Sequence, residues 1–215
     1  MNMSFYKKIN LIEQLLANFF TRVILYLTDG FLIAGAGLIV PIFAIFVERI
    51  GGSLIEVGIA SALFSFTAGI GILIISRFED AHNRNFRQFV VLGYLLALTG
   101  YLNYLFLSTV THLYFAQVLL GIASAVRVPS YDALLSRNTP NHLAVAWGNW
   151  NAVVYIVSAS AALIGASIAS AYGFKLLILV MVFLSSVAFL LSLALLKVKT
   201  LKSTIKKSAK FEESL

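Results

Sequence analysis

Apolar residues run along this chain in six blocks separated by short polar links. The blocks are Val23–Val47, Val57–Ser76, Gln88–Leu107, Leu113–Leu135, Val145–Ala171 and Phe174–Leu196. A hydrocarbon core about 30 Å thick takes about 20 helical residues, so each block predicts a membrane-spanning helix. None alternates with period two, as strands of a membrane barrel would. The links Glu48–Glu56, Arg77–Arg87, Ser108–His112, Ser136–Ala144 and Tyr172–Gly173 are short, which makes consecutive helices antiparallel neighbours. The expected fold is all-α: a polytopic membrane protein of six transmembrane helices over residues 23–196. Residues 1–22 are amphipathic, with Phe5, Ile9, Ile12, Leu16, Phe19 and Phe20 at helical spacing and Lys7, Lys8, Glu13 and Gln14 between them. They form either a helix lying in the cytoplasmic interface or a plain extension of the first span. Residues 197–215 form a basic cytoplasmic tail, either solvated without a partner, the more common case, or with its lysines on anionic lipid.

Composition agrees with the pattern. The chain is 60% hydrophobic and 12% charged, against about 25% charged in a soluble domain. It has no cysteine, so a disulfide framework or thiolate metal site is excluded. The net charge of +7 is unevenly placed. Lys7, Lys8, Arg22, Arg77, Arg84, Arg87, Arg137 and the tail lysines 197, 199, 202, 206, 207 and 210 fall on one side. Arg49 and Lys175 fall on the other. Basic residues concentrate in cytoplasmic loops, so both termini are expected in the cytoplasm, with the protein in the cytoplasmic (inner or plasma) membrane. The basic excess is explained by topology, and no nucleic-acid partner is expected.

Two charges lie deep inside the apolar blocks. Asp29 lies in the first block, about two turns past Arg22, and Arg127 lies in the fourth, two to three turns before its cytoplasmic end. They share a depth, and a charge in a spanning helix is tolerated when it faces protein or water. An Asp29–Arg127 pair is therefore expected, as a solute or coupling-ion site or as a static clamp between two helices. Helical geometry adds Ser124 and Tyr131 to the face of Arg127. Asn151 and Tyr155 add polar groups to the fifth block as further candidate cavity residues. Asp132 falls on another face, with a basic residue of the second link such as Arg84 as its expected mate.

Small residues recur every fourth position in the fifth block, as Ala161, Gly165, Ala169 and as Ser158, Ala162, Ala166, Ser170. The second block carries Gly58, Ala62, Ser65 and Gly69. Such ridges let another helix approach closely, so they are candidate packing interfaces. Pro41 and Pro129 fall late in the first and fourth blocks, and each block carries one intramembrane charge, Asp29 and Arg127. That correspondence is the mark of a three-plus-three inverted repeat. No G-x-x-x-x-G-K-[ST], H-E-x-x-H or G-x-S-x-G occurs, and His82, His112 and His142 sit in or beside links. No enzymatic activity, metal or cofactor is expected.

The stretch Ser76-Arg77-Phe78-Glu79-Asp80-Ala81-His82-Asn83-Arg84-Asn85 resembles the G-x-x-x-D-R-x-G-R-[RK] loop between helices 2 and 3 of major facilitator superfamily transporters. Asp80 and Arg84 match its acid and a basic position. Gly121 resembles the glycine of the family's fourth-helix motif. Val128-Pro129-Ser130-Tyr131-Asp132, with Pro140, is similar to the P-x-Y-x-x-E-x-x-P of sugar porters, and Gly165 holds a glycine of the fifth-helix antiporter pattern. The resemblance covers nearly all of 23–196 and implies the amino-terminal half of that fold. It implies that helices 1 and 4 line a central cavity and that helices 2 and 5 face a second six-helix half. It also implies that Asp80, Arg84 and Asp132 latch the cytoplasmic gate. The expected function is secondary active or facilitative transport of a small solute by alternating access. The chain would work as a homodimer or with a separate second half. The alternative is a non-transporting six-span scaffold or an inactive transporter half.

Overall fold

The computed structural model describes residues 3–81, 85–139 and 142–198; the side chains of residues 3–11, 80 and 81 are not described. The first span is built from α1 (Met3–Ile39), a 3-10 turn (Val40–Ile42) and α2 (Phe43–Arg49). Pro41, which has no N–H to give the ladder, sits inside the turn, where the helix is interrupted. The other helices are α3 (Leu54–Ala81), α4 (Phe86–Tyr104), α5 (Val110–Arg137), α6 (Leu143–Tyr172) and α7 (Phe174–Ser192). Among the described residues there is no strand.

Local chemistry sets the ends. Ser53 and Glu56 form a reciprocal cap on α3: Ile55 N donates to Ser53 Oγ (3.2 Å), Ser53 N donates to Glu56 Oε2 (2.7 Å), and the Ser53 hydroxyl also meets that carboxylate. The Thr109 hydroxyl accepts from His112 N (3.4 Å) at the start of α5. The turn from α6 into α7 passes through Gly173 at φ 81°, a left-handed conformation that suits glycine.

Five helical stretches are long and apolar enough to cross a membrane: Ile12–Arg49, Leu54–Glu79, Val110–Arg137, Leu143–Tyr172 and Phe174–Val198. The remaining helix, α4, is more polar because it turns its tyrosines inward. Val90, Gly93, Tyr94, Ala97, Gly100, Tyr101 and Tyr104 form one buried stripe at helical spacing. The residues before the first block continue α1 as one helix of 37 residues, about 55 Å long at 1.5 Å per residue.

The bundle is organised around two helices, α1 and α5. α1 packs against α6 and α7, α5 packs against α3 and α4, and α4 meets α7. Exchanging the first three spans with the last three maps this pattern onto itself, which is the symmetry of a three-plus-three repeat. Short links therefore do not dictate packing as expected. α5 and α6 are consecutive yet touch little, and α1 lies against α6 instead of its sequence neighbour α3. Small residues decide the matter. Gly37 faces Ala161, and Gly165 seats on the backbone of Leu38. In the symmetry-related contact, Gly71 faces Ala125 and Gly121 seats against Phe64 and Thr67.

At the end where α1 begins and α7 finishes, Arg87 is 8% exposed. Its Nη1 donates to the Leu195 carbonyl (3.2 Å), and Nη2 reaches Thr21 Oγ1 at 3.5 Å. One guanidinium thus ties α4 to the first and last spans. α3 and α6 contribute little to the core and expose Leu54, Ile55, Phe66, Leu73, Ile156 and Leu163.

Candidate functional site

The fold brings Asp29 of α1 and Arg127 of α5 together. Arg127 Nη1 donates to Asp29 Oδ1 in an ion pair, the carboxylate side chain 3% exposed and the guanidinium 14%. Among the described residues this is the only Lys/Arg–Asp/Glu ion pair. Tyr94 of α4 places its hydroxyl 3.0 Å from both Asp29 Oδ1 and Thr28 Oγ1, donating into them. Thr28 in turn donates to the Leu25 carbonyl (3.1 Å). The guanidinium carbon lies 5.5 Å from the Tyr94 ring centre and 6.0 Å from that of Tyr131, within cation–π range. Gly93 makes the arrangement possible. It is buried against the Cα and Cβ of Arg127, and any side chain there would overlap them.

The two sides of this pair differ. Toward the end opposite the termini lies a cavity of about 380 Å³, walled by α1, α3, α4 and α5. Among the described residues Arg127 is its only charged lining residue, and Ser61, Ser65, Ser124, Tyr101, Tyr104 and Gln117 supply its polar groups. Toward the termini the space is filled by aromatic rings. Trp150 stacks on Tyr26 (6.3 Å, 4° between planes) and tilts against Tyr131 (5.1 Å). The Tyr26 hydroxyl donates to the Ala146 carbonyl (2.9 Å), and that of Tyr131 donates to the Leu25 carbonyl (3.4 Å). The plug joins α1, α5 and α6, and none of its three rings lines the cavity.

The expected site residues thus separate. Ser124 lines the cavity and Tyr131 belongs to the plug. Asn151 and Tyr155 do neither: both lie on the exposed side of α6, Tyr155 at 75% exposure. Asp132 is half-buried on α5 and makes no ion pair among the described residues. The Asp80 side chain and Arg84 lie outside the described residues, and with them the expected latch. The α6 ridge is spent within the chain, since Ala161 and Gly165 are buried under α1 and Ala169 is half-buried at its end. The α3 ridge is different: Gly58, Ser65 and Gly69 are exposed, Ala62 is half-buried, and nothing faces either glycine within 4 Å. Thr28, Gly93 and Tyr94 carry much of the site without having been singled out in the sequence, and Trp150, whose ring suits the interface belt by sequence, is buried in the plug.

The model of the Major Facilitator Superfamily matches residues 25–214. The chain belongs to this superfamily. An uncharacterized MFS-type transporter of Methanocaldococcus jannaschii is 26% identical over 156 residues, covering 71% of this chain and 39% of that protein. The chain therefore spans about two fifths of the length of the curated relative it matches. Membership accounts for the six-helix, pseudo-symmetric bundle as half of the superfamily's fold, and the chain is an integral membrane protein. The first, second, third and fourth spans all line the cavity, and the second and fifth leave broad apolar faces uncovered.

Proposed function

We propose that this superfamily member is one half of a transporter that moves a small solute by alternating access, assembled as a dimer of halves. One observation carries the reading: a cavity ends on a buried Asp29–Arg127 pair, and a packed aromatic plug blocks the other side of that pair. A site reached from one side only is what one end-state of such a cycle requires. With the termini in the cytoplasm, as the basic residues argue, the cavity opens outward. A second six-helix half completes its wall, seated on the exposed faces of α3 and α6.

The test is reconstitution. The purified protein is expected as a detergent particle with twice the 23.5 kDa chain mass. In liposomes it should pass at least one member of a panel of labelled small solutes. The Arg127→Ala variant should reach the membrane folded and pass none. A monomer with no flux would instead support a non-transporting scaffold. Flux unchanged in Arg127→Ala would remove the pair from the permeation route.

A further inference from the structure

The proposed transport reading leaves open what the cavity accepts, and its lining narrows the choice. Asp29 sits behind Arg127, at 2% exposure, and does not line the space. The pair is thus a dipole with its cationic end turned to the cavity. Among the described residues, that guanidinium spends one N–H, on Nη1, against Asp29. A guanidinium has five N–H donors in a planar fork that matches a carboxylate bidentately. Its capacity is largely unspent, and Tyr94 and Tyr131 hold it between them.

The wall that this chain supplies disfavours other classes. A cationic solute would meet Arg127 and no lining carboxylate. A sugar would need many hydrogen-bonding partners, and those left unpaired are costly. Here one of the two Gln117 Nε2 protons goes to the Tyr104 hydroxyl (3.1 Å), and the Ser61 hydroxyl donates to its own helix at Val57 (2.9 Å), which reduces the donors left for a sugar. Leu32, Ile33, Ile39, Phe43, Phe64 and Leu120 make most of the surface apolar.

We infer that the cavity binds a small amphipathic carboxylate, its head on the Arg127 fork and its apolar body along α1 and α3. The inference rests on the proposed transport reading for its biological role, and on the cavity alone for its chemistry. The test uses hexanoate, hexanamide and hexylammonium as probes, with thermal stabilisation of the purified protein as readout. Hexanoate should bind at least about tenfold more tightly than either isostere, as expected for charge-assisted over neutral hydrogen bonding. Asp29→Asn frees the guanidinium from its internal mate and should strengthen hexanoate binding further. Ser65→Phe keeps the guanidinium, fills the apolar slot, and should weaken hexanoate severalfold. This variant lies on an exposed face, so it serves even where changes to the pair unfold the protein.

Equal binding of hexanoate and hexanamide would overturn the inference, as would hexanoate binding indifferent to Ser65→Phe. If hexanoate fails to bind while another class of solute crosses the membrane, only the inference falls. If hexanoate binds as described and no solute crosses, the transport reading falls and the ligand class stands.

Discussion

Neutralising one member of the Asp29–Arg127 pair should destabilise the bundle, and neutralising both should restore most of the loss. Removing one partner of a buried pair leaves an uncompensated charge and costs about 3–5 kcal/mol. The two single changes are not equivalent. Asp29→Asn leaves Arg127, 14% exposed and bordering the cavity, where water can reach it. Its cost belongs near the low end, about 3 kcal/mol. Arg127→Gln strands a carboxylate only 3% exposed, supported by the Tyr94 hydroxyl alone, and belongs near the high end. For a chain of this size each kcal/mol moves Tm by about 2–4 °C. The expected falls are therefore about 6–12 °C for Asp29→Asn and about 10–20 °C for Arg127→Gln. The double variant has no stranded charge and should lie within about 1–2 kcal/mol of the parent, a strongly non-additive cycle. Thermal melts of the four purified proteins in one detergent give the answer. Additive losses, or single losses below about 1 kcal/mol, would refute the view that these charges depend on each other.

Other consequences are simpler. Gly93→Ala presses a methyl group into Arg127 and should cost about 1–3 kcal/mol by overpacking. Gly58→Ala, which meets open space in the chain, should leave Tm unchanged or raise it slightly; equal losses would put the α4–α5 approach in question. Trp150→Ala removes a 9%-exposed ring from the plug and should cost about 3–5 kcal/mol. It should also make Thr28→Cys, introduced alongside it, reactive from the terminus-bearing side; continued protection would show that other groups seal that side. Ser53→Ala deletes the α3 cap and should lower stability by about 1 kcal/mol, read as a Tm shift of a few degrees.

The charge pair was legible because Asp29 and Arg127 interrupt apolar runs, and a charge in such a setting needs a mate. The rest of its surroundings was not. Tyr94 and Thr28 are ordinary residues in a spanning helix, and only the crossing of α4 over α1 puts them on the carboxylate. Gly93 gives no local signal, because its role is the absence of a side chain opposite another helix. Asn151 and Tyr155 lie on the outward side of α6, an orientation that a polar residue in a span does not announce. The spacing of Ala161 and Gly165 announced a close helix contact without naming the partner, which proves to be α1. Arg87 was read as a link residue marking the cytoplasmic side, and its burial as a tie between three helices was not legible. The Pro41 and Pro129 correspondence pointed to the internal repeat, and the packing of α1 and α5 bears that symmetry out.

The central claim is that water reaches Arg127 from one side only. The chain has no cysteine, so single substitutions report directly. Ser124→Cys, on the cavity wall, and Thr28→Cys, at 0% exposure beside Asp29, would be treated in intact cells with a membrane-impermeant maleimide. Rapid labelling of position 124 from outside with protection at 28 is the predicted result; protection at 124, or labelling there only from the cytoplasmic side, would contradict it.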